Sequence, residues 1–232
     1  MEIVMQTILI TGVNRGIGFH LARQALSRGN KVYGSCRGLD DAEKTARLLG
    51  ADFTPLIFDV TDRDAIRNAA RTVTGAIDVL INNAGIIGPT GENQSTLNMD
   101  FDGFARTLAV NTLAPLAIAQ IFLPHLRRSD AAKILSVSSQ MAWMGYAKSD
   151  RIAYRASKAA LNKVMQGLAT DLAPENIPVA VIDPGWVRTD MGGAEADSDP
   201  DAVARGILDI AQSLDMARTG CFIRWTGEER EF

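Results

Sequence analysis

Tyr154 and Lys158 stand four residues apart in a stretch whose spacing predicts a helix, so their side chains share one helix face. A free tyrosine has a pKa of about 10 and exchanges protons poorly at neutral pH. A nearby ammonium group favours the phenolate. Lowering the pKa by about three units needs about 4 kcal/mol, much of which one desolvated cation can supply. The pair could thus transfer a proton, although this spacing also occurs in ordinary surface pairs.

Two serines could join this pair. Ser138 and Ser139 end a predicted strand, and strand alternation turns their side chains to opposite faces. By contrast, the sequence has no GxSxG motif and no metal-ligand spacing. His20 and His125 lie apart from each other and from any cysteine or acidic cluster. A serine hydrolase and a metal site are therefore not expected, and both histidines are interpreted as structural.

A glycine-rich stretch near the N-terminus, "TILITGVNRGIG" at 7–18, could bind phosphate groups. Gly12, Gly16 and Gly18 lie between a predicted strand and a predicted helix, where glycine permits positive φ and a close approach of backbone to ligand. The helix N-terminus adds a partial positive charge, so a diphosphate fits. No Gly-Lys-Ser/Thr follows, which excludes a P-loop, and the spacing is not GxGxxG. A tight turn without a ligand is the alternative.

The elements that position these residues alternate along the chain. Short, mostly continuous apolar runs rich in β-branched residues indicate strands buried on both faces of a parallel sheet. The predicted strands are 7–10, 31–35, 53–58, 78–81, 133–137, 178–182 and 221–225. The predicted helices are 16–28, 41–49, 62–73, 101–127, 151–172 and 200–213. This alternation predicts a doubly wound α/β sheet with right-handed crossovers.

The composition is that of an ordinary globular domain, with 47% hydrophobic and 22% charged residues among 232 and a formal net charge of −3. We therefore expect no nucleic-acid partner and no membrane-surface patch. Cys36 and Cys221 are far apart, which argues against a disulfide framework and favours a reducing cytoplasm. The N-terminus lacks a signal pattern, and its apolar run is too short to span a bilayer.

Several motifs resemble those of the short-chain dehydrogenase/reductase family. The glycine stretch reads Thr-Gly-xxx-Gly-x-Gly, and "DVLINNAG" at 78–85 is similar to the family's fourth-strand motif. Asn111 in "AVNTLAPL", "VSS" at 137–139, "YRASK" at 154–158 and "DPGWVRTDM" at 183–191 follow in family order. The resemblance covers nearly the whole chain. The residues within these motifs are most similar to those of the C-factor-like and carbonyl-reductase-like branch of the family.

The resemblance implies one Rossmann-type domain over 1–232 with a seven-stranded parallel sheet flanked by helices. It implies a glycine-rich cofactor loop at 11–18, a catalytic segment at 137–158 and a short substrate lid at about 191–201. The lid is small and acidic, and we interpret it as flexible. It follows a strand and so lies at the carboxyl edge of the sheet, where ligands bind in such folds.

The resemblance also implies roles for four catalytic residues. Tyr154 is the general acid in carbonyl reduction, with the positive nicotinamide ring and Lys158 favouring its phenolate, and Lys158 also holds the nicotinamide ribose. Ser139 orients the substrate carbonyl, and Ser138 is the competing choice, because strand alternation turns neighbouring side chains to opposite faces. The stretch from Ser139 to Tyr154 is also a little longer than usual for the family. Asn111 helps to hold a water in a proton relay toward Lys158. The alternative for Asn111 is a structural backbone hydrogen bond within its helix.

The predicted cofactor-binding residues lie in six places along the chain. Asn83 is expected against the adenosine and Thr189 on the nicotinamide carboxamide, whereas Asn82 only ties strands together. Asp59 is expected near the adenine, or else as a cap of the next helix, with Thr61 close by. The full set is Gly12, Asn14, Arg15, Gly16, Ile17, Gly18, Arg37, Asp59, Val60, Asn83, Ala84, Gly85, Tyr154, Lys158, Pro184, Gly185, Val187 and Thr189.

The end of the second predicted strand bears on the choice of cofactor. An acidic residue there would accept hydrogen bonds from the ribose 2′-OH and repel a 2′-phosphate. The sequence "YGSCRG" instead offers Arg37, with no acid until Asp40, and Arg15 lies in the glycine loop. Two guanidinium groups can clamp a phosphate, so NADP(H) is predicted in preference to NAD(H). The alternative is that Asp40 or Asp41 folds back to the ribose.

The function predicted from these residues is NADP-dependent hydride transfer between nicotinamide and a carbonyl or alcohol carbon of a small molecule. The alternatives are an NADP-binding redox-sensing or signalling protein without significant turnover, and an epimerase or dehydratase with a tightly held cofactor. Trp143, Met144, Trp186 and Met191 are expected to line an open cleft for uncharged carbonyl compounds. A homodimer or homotetramer is implied by the family, although a monomer is known among its carbonyl-reductase-like members.

Overall fold

A single eight-stranded sheet forms the centre of the protein, which was analysed as a computed structural model describing residues 5–232. The strand order is β10-β9-β8-β7-β4-β1-β2-β3, and every pairing in it is parallel except that of β10 with β9. The parallel strands are β1 (Thr7–Ile10), β2 (Lys31–Cys36), β3 (Phe53–Ile57), β4 (Val79–Asn82), β7 (Lys133–Val137), β8 (Val179–Asp183) and β9 (Phe222–Arg224). The sequence-based prediction of a doubly wound Rossmann-type sheet is confirmed.

Three short strands were not predicted. β10 (Glu229–Arg230) turns back from β9 and pairs with it antiparallel, which adds an eighth strand to the seven expected. The turn is made at Gly227, whose φ is +97°. β5 (Gln94–Ser95) and β6 (Asn98–Met99) form a separate antiparallel hairpin. Strands of two residues carry no readable alternation of polarity, so the sequence pattern could not reveal them.

Helices cover both faces of the sheet. They are α1 (Gly16–Ser27), α2 (Leu39–Leu49), α3 (Arg63–Thr72), α4 (Phe101–Leu108), α5 (Ala114–Leu126), α6 (Ile152–Leu172) and α7 (Pro200–Ser213). Successive side chains of β1 alternate between two apolar cores, with Leu9 on one side and Ile8 and Ile10 on the other. Phe122 of α5 is fully buried in the first of these cores, which is worth about 2–3 kcal/mol for such a side chain.

The stretch predicted as one helix over 101–127 contains a π-helical turn at Ala109–Leu113, between α4 and α5. By length and composition alone, Phe101–Leu126 could cross a membrane, but half of its most apolar window is buried inside the domain. Such burial is typical of a core helix in a globular protein. The π-helical turn brings Asn111 to the region where β4 ends, and π-turns of this kind frequently occur at functional sites.

Candidate active site

The turn from β1 into α1 depends on glycine at three positions. Gly12 and Gly16 have φ of +70° and +56°, a region that residues with a side chain rarely adopt. Gly18 has ordinary φ, but a Cβ atom there would overlap with the carbonyl oxygen of Gly12. The first turn of α1 receives no hydrogen bond from the side chain of its N-cap residue, Arg15. Its backbone N–H groups are therefore suited to a phosphate.

This turn is held against the end of β4 by a reciprocal set of hydrogen bonds. The Thr11 hydroxyl accepts from the backbone N–H groups of Asn83 and Ala84, both at 3.0 Å. The Asn83 side chain donates to the carbonyl oxygens of Thr11 and Gly12, at 2.9 and 3.1 Å. Asn82 instead donates to Ser136 on β7, at 3.2 Å. Asn83 thus fixes the glycine turn, in addition to any contact with an adenosine.

The polar side chains on the β2 side of the turn are largely exposed. Arg15 forms an ion pair with Asp190, at 3.0 Å, in which both side chains are more than 60% exposed. Asn14 donates to the carboxylate of Asp41 at 3.1 Å. Arg37 is exposed at the end of β2. Asp41, the acid that the sequence left as an alternative, therefore lies beside the glycine loop.

Asp59 and Val60 follow β3. The Asp59 carboxylate accepts hydrogen bonds from the N–H and the hydroxyl of Thr61, and these bonds lower its pKa. Helix α3 is capped instead by Asp62, which accepts from the N–H groups of two residues in the first turn. The helix-cap alternative for Asp59 is therefore wrong, because Asp62 occupies that position.

The segment after β8 faces the glycine turn. The Thr189 side chain lies 3.6 Å from where a Cβ of Gly16 would stand. Gly185 has a φ of +73° after Pro184, and Val187 is buried. The segment after β8 thus comes close to the glycine turn at Gly16.

The predicted lid at 191–201 is hydrogen-bonded to the residues just before it, 186–189. The Trp186 indole donates to the carbonyl of Gly192 at 2.8 Å, and the Gly193 N–H donates to the carbonyl of Thr189, also at 2.8 Å. The backbone of Ser198 pairs with Trp186 and Arg188. The segment was predicted to be a short lid. In the structure, these bonds make residues 186–198 a hydrogen-bonded loop that precedes α7.

Tyr154 and Lys158 lie in the first two turns of α6, and both are buried, with 8% and 4% exposure. The Lys158 ammonium lies 5.8 Å from the centre of the Tyr154 ring and donates to the Val137 carbonyl at 2.7 Å. The surface-pair interpretation is excluded by this burial. Burial also lowers the pKa of Lys158 to about 8, because a desolvated ammonium is costly.

The structure separates the two serines after β7. The Ser138 hydroxyl is buried and donates to the Asn162 side chain at 2.5 Å, so it ties the strand to α6. The Ser139 hydroxyl accepts from the Met141 N–H at 3.1 Å, and Ser139 lowers the pKa of the Tyr154 hydroxyl that it faces. Because Ser139 faces Tyr154 and Ser138 does not, Ser139 is the serine that could contact the same substrate atom as Tyr154.

The protein's own groups raise the pKa of Tyr154. Burial is the largest cause, since it disfavours the phenolate, and the carboxylate of Asp183 acts in the same direction. The hydrogen bond from Ser139 and the charge of Arg151 oppose this rise. The sequence predicts that the Lys158 ammonium and a positive nicotinamide ring together lower this pKa, but Lys158 is not among the groups that lower it in the chain alone. The chain alone keeps the hydroxyl protonated.

Asn111 is fully buried and makes three hydrogen bonds. Its side-chain oxygen accepts from the Ile86 N–H at 2.9 Å, and its amide donates to the Ile86 carbonyl at 2.8 Å and to the Ser157 hydroxyl at 3.0 Å. A Cβ on Gly85 would lie 3.3 Å from the Asn111 oxygen and 3.5 Å from the Lys158 nitrogen. Asn111 and Lys158 thus border the same small space above Gly85.

Two polar residues of this region escaped the sequence analysis. Gln94, 1% exposed, accepts the backbone N–H of Tyr154. Asp183, fully buried at the end of β8, accepts from the N–H groups of Gln140 and Gly185 and forms an ion pair with Arg230 of β10. Asp183 is the first residue of the motif "DPGWVRTDM", so the sequence could have indicated its role. Gln94 belongs to no recognised motif.

The cavities of the structure and the four residues expected to line a substrate cleft do not define a substrate site. One cavity of about 550 Å³ lies between α7 and the β9–β10 hairpin, and Trp225 lines it, whereas none of the four catalytic residues does. Trp143 packs on Tyr146 and borders a second cavity with Arg224 and the charged C-terminal residues 228–231. Met144 is 80% exposed. Among residues 5–232, no cluster of three His, Cys, Asp or Glu side chains could hold a metal ion.

Comparison with known proteins gives the family. The model of the family described as short chain dehydrogenase matches residues 6–200. The chain therefore belongs to the short-chain dehydrogenase/reductase family, and it is an oxidoreductase of Rossmann type. The family resemblance predicted from the motifs is confirmed.

Three relatives narrow the branch. The C-signal protein of Myxococcus xanthus is 39% identical over 164 residues, which cover 69% of this chain and 96% of that protein. The carbonyl reductase Sniffer of D. melanogaster superposes with a TM-score of 0.91 at 28% identity, covering 99% of this chain and all of that one. An NADPH-bound carbonyl reductase from chicken fatty liver gives a TM-score of 0.89 at 28% identity, covering 98% and 99%. These are the C-factor-like and carbonyl-reductase-like relatives that the motifs predicted.

Proposed function

We propose that this protein is an NADP(H)-dependent oxidoreductase that interconverts a carbonyl and an alcohol carbon of a small molecule. One observation carries the proposal. Four polar side chains with the chemistry for such a step, Ser139, Tyr154, Lys158 and Asn111, come together in a buried region at the carboxyl ends of the parallel strands. Burying four polar side chains near one another is costly, which argues for a functional reason.

The chain also has a site that fits a dinucleotide. The backbone at Gly12, Gly16 and Gly18 and the uncapped start of α1 would hold the diphosphate, and Thr189 lies across from them. A side chain at Gly18 would clash with the Gly12 carbonyl, so the tight turn that presents these N–H groups needs glycine there, which supports the fit. When bound, the nicotinamide supplies or accepts the hydride.

The chain's own residues would supply orientation and the proton. Ser139 would donate a hydrogen bond to the substrate carbonyl oxygen, and the Tyr154 hydroxyl would donate its proton to the same oxygen as negative charge develops there. The raised pKa of Tyr154 suits this reductive direction, because burial keeps the hydroxyl protonated until charge appears. Lys158 would stabilise the resulting phenolate and hold the ribose, and Asn111 borders the space where a relay water would pass its proton.

The preference for NADP(H) over NAD(H) belongs to the proposal as well. The exposed Arg37 at the end of β2 supports it, as does the NADPH found in the chicken carbonyl reductase. Asp41 beside Asn14 is the opposing feature, and Arg15 would have to leave Asp190 to reach a 2′-phosphate. For the substrate, the half-exposed Trp186 and Met191 favour uncharged aldehydes and ketones of several shapes.

Self-association is proposed from the family. Helix α6 carries three alanines at helical spacing, Ala153, Ala156 and Ala160, of which Ala153 is buried within the domain. Ala156 and Ala160 are partly exposed and remain open to close packing with a second copy. A homodimer or homotetramer would form there.

The decisive experiment measures NADPH consumption against a panel of aldehydes, ketones and quinones with three variants. Tyr154→Phe removes one hydroxyl and should lower turnover by about 10²-fold or more, with NADPH affinity little changed. Lys158→Ala should impair both turnover and NADPH binding. Tyr33→Phe on β2 is the matched control, since it also loses a hydroxyl but lies outside the site. Near-normal turnover by Tyr154→Phe would rule out the mechanism, and tight NADPH binding without turnover of any substrate would favour a sensor.

A further inference from the structure

The helix that carries Tyr154 starts without a cap of its own. Its N-cap residue, Arg151, has a φ of +52° and makes no side-chain hydrogen bond to the first turn. Backbone N–H groups at a helix start have no partner within the helix, and a short polar side chain at the N-cap usually accepts from the second or third of them. Arginine can only donate, so α6 needs an acceptor from elsewhere in the chain.

Gln94 supplies that acceptor from 60 residues away. Its side-chain oxygen accepts the backbone N–H of Tyr154, the third residue of α6, at 3.2 Å. This is the N–H group that an ordinary N-cap side chain would take. The bond lies in a buried environment, because Gln94 is 1% exposed. Water therefore does not compete for the donor, and the bond is stronger than one at the surface.

Gln94 is itself held by a segment that leads back to the site. Its amide donates to the carbonyl oxygens of Ile87 and Pro89, at 3.0 and 2.6 Å. One residue earlier, Ile86 is held on both its N–H and its carbonyl by Asn111. A continuous set of hydrogen bonds thus connects Asn111, through residues 86–89 and Gln94, to the backbone of Tyr154.

We propose that Gln94 is a positioning residue that sets the location of the Tyr154 hydroxyl by capping α6 from the β5–β6 hairpin. This inference rests on the proposed function, in which Tyr154 is the proton donor. Gln94 bonds to the backbone N–H of Tyr154 rather than to its hydroxyl, so it acts through the backbone. Glutamine suits the position because it is both acceptor toward Tyr154 and donor toward the two carbonyls.

The test compares two variants of Gln94. Gln94→Met keeps the length and removes all three hydrogen bonds, so the first turn of α6 should shift. Turnover should fall by about tenfold to 10²-fold, with the KM for NADPH unchanged, since a displacement of about 1 Å is enough for such a loss. Gln94→Glu keeps an oxygen that accepts from Tyr154, and it should retain more turnover than Gln94→Met even where its Tm is equally low.

Two readouts do not depend on turnover. Amide exchange at Tyr154 should quicken by about tenfold in Gln94→Met, the scale of one lost hydrogen bond, and stay slow in Gln94→Glu. NMR titration of ring-labelled tyrosine, with Tyr154→Phe for assignment, should show the pKa of Tyr154 rising further in Gln94→Met, because the ring would move away from Ser139, which lowers that pKa. Asn98→Ala, which removes an exposed bond in the same hairpin, is the control for general loosening.

The outcomes separate this inference from the proposed function. If the unmodified protein reduces no carbonyl compound, the proposed function fails, while amide exchange and titration still decide whether Gln94 fixes Tyr154. If Gln94→Met lowers only Tm, as Asn98→Ala does, and leaves turnover, amide exchange and the pKa of Tyr154 as they were, Gln94 is not a positioning residue. Equal loss of turnover in the Met and Glu variants would also overturn the proposal.

Discussion

The two halves of the candidate site are built on different principles. Around α6, the functional groups are side chains, and Asn111, Ser139, Tyr154 and Lys158 are all at least 90% buried. Around the β1–α1 turn, the functional groups are backbone N–H groups made accessible by glycines, and the charged side chains nearby, such as Arg15, are exposed. The α6 half therefore uses buried side chains, and the β1–α1 half uses accessible backbone N–H groups.

The difference has an energetic consequence. In the buried half, each polar group is desolvated, so losing a partner leaves another group unsatisfied at a cost of about 1–3 kcal/mol. In the exposed half, charges are screened by water and salt, and an exposed ion pair such as Arg15–Asp190 contributes about 0–1 kcal/mol. Cofactor preference can therefore be altered by surface substitutions, whereas the catalytic half tolerates few changes.

The largest effect on stability and cofactor binding is expected at Gly18 in the β1–α1 turn, where a side chain has no room. Gly18→Ala would bring a methyl group into the Gly12 carbonyl and close to the Asn83 side chain, so the turn must open. We expect a loss of about 3 kcal/mol in unfolding free energy, together with loss of NADPH binding. Urea denaturation and a fluorescence titration with NADPH measure the two effects.

Gly167→Ala is the matched control for this change. Gly167 lies in α6 with no atom near the position of its Cβ, so alanine should be neutral or stabilise by about 0.5–1 kcal/mol. A Gly18→Ala protein that binds NADPH normally would show that the turn does not depend on glycine at this position.

A smaller effect concerns the buried ammonium. Burial lowers the pKa of Lys158 from 10.5 to about 8 in the folded protein. Between these pH values the unfolded chain holds the proton and the folded chain does not, so this residue makes the unfolding free energy rise with pH. From pH 8 to pH 10, the unfolding free energy of the unmodified protein should rise by about 1–2 kcal/mol relative to that of Lys158→Met. Urea denaturation of both proteins at the two pH values tests this, and a constant difference would contradict the burial of a titrating lysine.

The smallest effect is expected at the exposed guanidinium. Arg37→Ala should weaken NADPH binding by about three- to tenfold and leave NADH binding nearly unchanged, since only NADPH carries the 2′-phosphate. The difference should shrink in high salt. Arg63→Ala, at the exposed start of α3, is the control for lost surface charge. Equal affinities of the unmodified protein for NADPH and NADH would refute the preference.

Much of the fold could be predicted because its strands are buried on both faces. β1 and β7 begin and end where the sequence predicts, since each is a short apolar run next to a polar or glycine-rich turn. The residues of the site were predicted for a different reason, because the motifs that contain them resemble those of the family. Spacing alone indicated only that Tyr154 and Lys158 share a helix face.

The remainder depends on contacts between distant segments. Gln94 lies in a polar stretch without periodicity, and its role appears only when the hairpin meets α6. Arg230 meets Asp183 across 47 residues, which no local pattern records. The π-helical turn at Ala109–Leu113 adds no sequence signal either, because its residues fit an α-helix equally well.

The strand β10 also bears on how this protein behaves in concentrated solution. The sheet would otherwise end at β9, whose Phe222 and Ile223 are almost fully buried and whose free backbone edge could pair with another chain. Two residues of β10, Glu229 and Arg230, cover that edge with charged side chains. At the opposite edge, Pro55 in β3 lacks a backbone donor. Both ends of the sheet are thus protected against the edge-to-edge pairing that begins aggregation, and the C-terminal protection rests on the last few residues of the chain.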